Sequence, residues 1–92
     1  MIVRIATERQ YRLPDETAGR LNELDNEAVG AVEAGDEARF RELFDQMLTI
    51  VRRDGQLVEE DELSGSQIIL PPPDLTFEEA KGEFTGEGLL PD

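Results

Sequence analysis

Between Leu21 and Val51 the apolar residues recur at steps of three and four in two blocks separated by Gly35-Asp36, and this spacing constrains the fold more than any other feature of the chain. Leu21, Leu24, Ala28, Ala31 and Val32 form one helical face; Phe40, Leu43, Phe44, Met47, Leu48 and Val51 form another. Gly35 suits the left-handed residue that closes a helix, and Asp36 suits the side-chain cap that opens the next. The link is then tight and the two helices are antiparallel neighbours. The first is expected from about Asp15 to Ala34, with Asp15-Glu16 after Pro14 placing negative charge at its N-terminus. The second ends at Arg52-Arg53, where positive charge favours the negative end of the dipole, before Asp54-Gly55. Ala28, Gly30 and Ala31 are small and are expected to admit a close backbone; Gly19 and Gly30 each cost about 1 kcal/mol of helix propensity.

Upstream, residues 2–13 alternate as a short antiparallel pair. Val3 and Ile5 share a face with Arg4 opposite, and Tyr11 and Leu13 share a face with Arg12 between them. The connecting Thr7-Glu8-Arg9-Gln10 lacks glycine, so it requires either a residue at positive φ or a wider loop. A two-stranded ribbon is marginal alone and is expected to lie on the helical hairpin.

Downstream, Glu59-Glu60-Asp61-Glu62 is an acidic run, Ser64-Gly65-Ser66 a flexible spacer and Pro71-Pro72-Pro73 a stiff one. Ile68, Ile69, Leu70, Leu75, Phe77, Phe84, Leu89 and Leu90 carry too much apolar surface for a purely solvated tail, so partial docking is expected. Thr76-Phe77-Glu78-Glu79 has the pattern of a capping box and predicts a short third helix from about Phe77 to Glu83. The fold class is α+β: a short N-terminal antiparallel β-hairpin packed on an antiparallel helical hairpin, then an extended segment and a short third helix. Residues 1–55 form the core of a single domain, and residues 56–92 dock partly on it.

With neither cysteine nor histidine in the chain, there is no disulfide framework, no thiolate metal site and no imidazole base. Net charge is −13 and uneven: residues 1–53 hold eight arginines against eleven acids, whereas residues 54–92 hold only Lys81 against eleven acids. Such a surface repels phosphate backbones and anionic headgroups, which disfavours nucleic acid or direct membrane binding and favours a protein partner. Abundant carboxylates with a single lysine also resemble adaptation to high salt. The Glu59–Glu62 run lacks the ligand spacing and central glycine of a calcium loop, and is read as a solvated charge run. A carboxylate-based hydrolase would need a pocket that so small a core can scarcely wall, so no catalytic, metal or cofactor residue is assigned. Gly82–Gly88 is glycine-rich without the lysine or preceding strand of a phosphate loop and is read as a turn. No apolar run is long enough for a signal sequence or membrane span, and a soluble, cytoplasmic protein is expected.

The residues most apt for a partner lie at the margins of the helical hairpin. Arg4, Arg9 and Arg12 are expected on the outer face of the ribbon, where their guanidinium groups suit a partner's carboxylates or the chain's own acidic segment, the intramolecular role being the one favoured. Ile68, Ile69, Leu70, Leu89 and Leu90 either close the core or meet a partner helix. A homo-oligomeric structural protein is a further alternative.

Several segments carry a family resemblance: Met1-Ile-Val-Arg-Ile-Ala-Thr-Glu8 with Gln10-Tyr-Arg-Leu13, Leu21-Asn-Glu-Leu-Asp-Asn26, Ile68-Ile-Leu-Pro-Pro-Pro-Asp74 and Gly88-Leu-Leu-Pro91. Together they resemble the phage shock protein A-associated family, PspAA, over nearly the whole chain. The family pattern tends to have glycine where Arg9 stands. The resemblance carries over no catalytic residue. It implies a partner, phage shock protein A, a coiled-coil protein of the same superfamily as the membrane-fission filament formers, and a regulatory role in the cell-envelope stress response with membrane contact only through that partner.

Overall fold

The computed structural model describes residues 1–58, 68–85 and 88–89. Strands β1 (Ile2–Ile5) and β2 (Gln10–Arg12) precede helices α1 (Asp15–Ala34) and α2 (Glu37–Asp54). Strands β3 (Gln56–Val58) and β4 (Ile68–Leu70) and helix α3 (Phe77–Glu83) follow. The acidic run Glu59–Glu62 and the spacer Ser64–Ser66 lie outside the described residues.

The helical hairpin forms where its apolar spacing predicts. Gly35 takes φ 72° and ψ 22°, a conformation that a side chain would strain. The Gly35 amide donates to the Val32 carbonyl at 3.0 Å and the Asp36 amide to Ala31 at 2.9 Å, satisfying carbonyls that the last helical turn leaves open. The Asp36 carboxylate accepts from the Arg39 amide at 3.0 Å and starts α2. Gly19 and Gly30 do not mark a close approach: a Cβ at either would meet nothing within 4 Å, because both face solvent. The small residues that do face inward are Ala28 and Ala31.

The β-hairpin is the centre of a wider sheet. Beyond the expected pairing of β1 with β2, β4 adds parallel to β1 and β3 adds antiparallel to β2, giving the order β3-β2-β1-β4. Two strands alone leave both edges unpaired, and the extra strands satisfy those amides and carbonyls. Thr7, at φ 67°, is the residue that takes the positive φ in the glycine-free turn, so it is Thr7 rather than Arg9 that bears the strain. Arg52 at the end of α2 reaches back to bridge Glu8 in the same turn. That hydrogen bond, opposed by some desolvation, pushes the Arg52 guanidinium pKa up.

One core joins all layers. Val3, Ile5, Ile68 and Leu70 of the sheet are buried in one cluster with Leu21, Leu24 and Ala28 of α1 and the apolar face of α2. Phe40 is its aromatic centre, stacked on Phe44 with centroids 5.7 Å apart and met edge-on by Phe84 at 5.1 Å; Phe77 tilts against it at 5.9 Å. Phe77 and Phe84 bracket α3, so burial of about 1.5–3 kcal/mol per fully buried phenyl group docks the end of the chain on α2. The proline segment is held there too: the Arg41 guanidinium donates to the carbonyls of Pro73 and Leu75 while lying 5.9 Å from the Phe40 ring.

Helix α3 carries the expected capping box. The Thr76 hydroxyl accepts from the Glu79 amide at 3.2 Å, and the Glu79 carboxylate accepts from the Thr76 amide at 3.0 Å. That backbone hydrogen bond, with the Thr76 side chain, holds the Glu79 carboxyl below its ordinary pKa. A lowered folded pKa contributes stability that is present above the unfolded value, near 4.3, and is lost as pH falls through the folded value. Thr76→Ala removes the N-cap hydroxyl and is expected to cost about 1 kcal/mol at pH 7, as the loss of such a cap does. The gap to the parent chain should narrow in acid below about pH 4. Urea denaturation followed by circular dichroism at both pH values tests this, and an equal gap at both would contradict it.

Candidate partner-binding surface

Sheet register sorts the candidate residues by face. Ile2 pairs with Arg12 and Arg4 with Gln10, so Arg4 and Arg12 share the face turned away from the helices. On the other side of β1, Arg4 is in register with Ile69. Ile69 is 60% exposed, whereas Ile68 and Leu70 on either side of it turn inward and are buried in the core. Strand alternation is the reason: neighbouring side chains in β4 point to opposite faces. Of these three residues only Ile69 is presented for contact; Ile68 and Leu70 close the core, the other role their sequence allowed. Arg12 is exposed and Arg4 half-buried, and both stand on the face that carries the exposed Ile69 side chain. Gln10 and Val58 are in register on this same face and both are buried. Leu57, at 53% exposure on β3, is in register with Tyr11 and is the other large exposed apolar residue of the described chain.

Leu89 is half-buried against the core, and Leu90 lies outside the described residues. What positions Leu89 is Asp25, a fully buried carboxylate of α1. The Leu89 amide donates to its Oδ1 at 3.0 Å and Oδ2 at 2.9 Å. Gly88, at φ 84°, lets the backbone come this close, since a Cβ there would lie 2.5 Å from Asp25 Oδ2. Sequence reasoning passed over Asp25, although its place had a signal: it stands four residues after Leu21, on the apolar stripe, where an acid is uncommon without a partner. Gly82 and Glu83 complete α3, as the helix expected from Phe77 to Glu83 requires, so the turn read over Gly82–Gly88 does not include them; beyond α3 the Gly88 amide donates to the Thr85 carbonyl at 2.9 Å.

A family model, PspAA, described as PspA-Associated protein, matches residues 1–92. The chain belongs to the PspA-associated protein family. No curated protein and no solved structure matches it. In this family member the segments that carried the resemblance meet in space. The N-terminal segment forms β1 and pairs with the isoleucine-leucine segment as β4, while the Leu21–Asn26 segment supplies the carboxylate that holds Gly88 and Leu89. The family's description is that of an accessory protein associated with PspA. Among the described residues, no helix of this PspA-associated chain is long and apolar enough to cross a membrane.

Proposed function

We propose that this PspA-associated protein is a non-enzymatic adaptor that binds phage shock protein A in the cell-envelope stress response. The observation that carries the reading is the family match over the whole chain. The net charge of −13 supports it, because so acidic a protein is repelled by anionic lipid and reaches the membrane through a partner. The contact face is the outer face of the sheet, where Ile69 offers an apolar anchor on the face that also carries Arg4 and Arg12. Leu89 forms part of the margin on the side where the end of the chain docks.

Titration calorimetry of the purified protein against purified phage shock protein A tests the proposal. Saturable binding is expected, and its absence at salt concentrations from low to molar would sink the adaptor reading. Ile69→Glu should weaken binding at least tenfold, about 1.4 kcal/mol, without lowering the melting temperature, since the side chain contributes little to the core. Unchanged affinity would move the contact elsewhere.

A further inference from the structure

Two polar clamps hold the end of the chain, and in both the held segment offers backbone groups. At the near clamp the Arg41 guanidinium donates to the carbonyls of Pro73 and Leu75, where the Leu75 amide closes a turn onto the Pro72 carbonyl at 3.0 Å. At the far clamp the buried Asp25 carboxylate accepts from the Leu89 amide. Between them Phe77, Ala80 and Phe84 stand at steps of three and four, which puts them on one side of α3. Ala80 and Phe84 are fully buried and Phe77 is half-buried. Phe84 meets the Phe40 and Phe44 rings edge-on at 5.1 and 6.0 Å.

The strap from Leu75 to Thr85 has little stability of its own. Helices shorter than about 12–15 residues are marginal in water, and α3 has seven residues with Gly82 among them, so it is helical only while docked. The sheet and the helical hairpin supply the rest of the core, with Val3, Ile5, Leu21, Leu43, Met47 and Val51 all buried. A terminal element docked on such a body opens below the free energy of global unfolding. Its departure uncovers Phe40 and Phe44, one turn apart on α2 and stacked at 5.7 Å, with Arg41 beside both rings. The far clamp has the character of a latch: a buried carboxylate is a costly anchor, and the best-attested use of buried charge is to fix a register or a switch.

We infer that the end of the chain is a displaceable strap, which opens as one unit and uncovers on α2 a seat for an amphipathic helix of a protein partner. The occupant is specified by α3 itself: two aromatic side chains seven residues apart, with a small residue three after the first. Because both clamps hold main-chain groups, only those three positions select by side chain. A helix from another chain with the same spacing makes the same contacts. The closed strap competes with it, so the apparent affinity is reduced to the fraction of molecules that are open. This seat lies on α2 and is independent of whatever binds the outer face of the sheet.

The probe is a synthetic peptide with the sequence of residues 74–85, titrated into the ¹⁵N-labelled full chain. Phe84→Ala unplugs the strap and leaves the seat, so this variant should bind the peptide about tenfold more tightly than the parent chain, with shifts at the amides of Phe40, Arg41 and Phe44. Gly88→Ala drives a Cβ into the Asp25 carboxylate, loosens the far clamp and should tighten binding about threefold. A control peptide of the same composition with its two phenylalanines adjacent should bind neither variant. Hydrogen exchange shows whether the strap opens alone: in both variants the amides of α3 and Leu89 should lose protection while those of the β1–β2 pairing keep it. A gain in binding by at least one variant that keeps its β1–β2 protection supports the inference. No gain in both, equal binding of the control peptide, shifts away from α2, or loss of β1–β2 protection together with that of the strap in both variants would each overturn it.

Discussion

Phe40→Ala is expected to remove about 3–5 kcal/mol of stability, the range for a large aromatic residue deleted from a core. Phe40 is fully buried and touches Phe44 on its own helix, Phe84 after α3 and Phe77 at the start of α3. Its loss therefore opens a cavity and also removes the surface on which the end of the chain docks. A domain of this size has only about 5–14 kcal/mol in total. The melting temperature should fall by at least about 12 °C, at 4–8 °C per kcal/mol. By contrast, breaking the exposed Arg52–Glu8 bridge should cost less than about 1 kcal/mol. Packing, not surface charge, thus holds the layers together. Calorimetry of the two variants decides it: a Phe40→Ala loss below about 1.5 kcal/mol would mean that the cluster collapses into the space and the end of the chain is held by something else.

Asp25→Ala should be nearly as damaging, at about 2–4 kcal/mol, for a different reason. Hydrogen bonds to a charged group contribute about 1.5–3 kcal/mol, and deleting the acceptor leaves the Leu89 amide without a partner in a partly buried place. Asp25→Asn keeps one oxygen for that amide and should lose less. The effect should also be directional: hydrogen exchange at Leu89 should accelerate, while amides of the β1–β2 pairing keep their protection until global unfolding. Uniform acceleration would show that Asp25 supports α1 as a whole; no acceleration at Leu89 would sink the idea that it anchors the end of the chain. Gly88→Ala approaches the same contact from the other side, through a Cβ driven into the carboxylate.

The two helices were legible because their information is local. Spacing of three and four set their inner faces, and Gly35-Asp36 marked the break with residue types that the cap geometry requires. The α3 capping box was legible for the same reason: threonine and glutamate three residues apart satisfy each other's backbone. The turn of the β-hairpin was legible as a place of strain, though not as Thr7 in particular, because several residues can absorb one positive φ.

The candidate contact residues were only half legible. Arg4 and Arg12 share a face because alternation within a hairpin places them there. For Ile68, Ile69 and Leu70, an unbroken apolar triplet does not say which side chain faces out; that follows from the parallel register with β1, set by a partner more than sixty residues away. The Asp25 anchor was missed because its ligand is a backbone amide, which leaves no mark in residue identity.

By itself, then, the sequence determined the helical hairpin, the caps, the uneven charge and the family to which the chain belongs, all of them written in neighbouring residues or in patterns of residue type. Only the tertiary structure decided that the β-hairpin is the middle of a four-stranded sheet, that Ile69 alone of its triplet faces out, and that Asp25 holds the end of the chain. Each of these depends on distances between segments remote in sequence, and such distances are fixed by the packing of the whole core rather than by any local choice of residue.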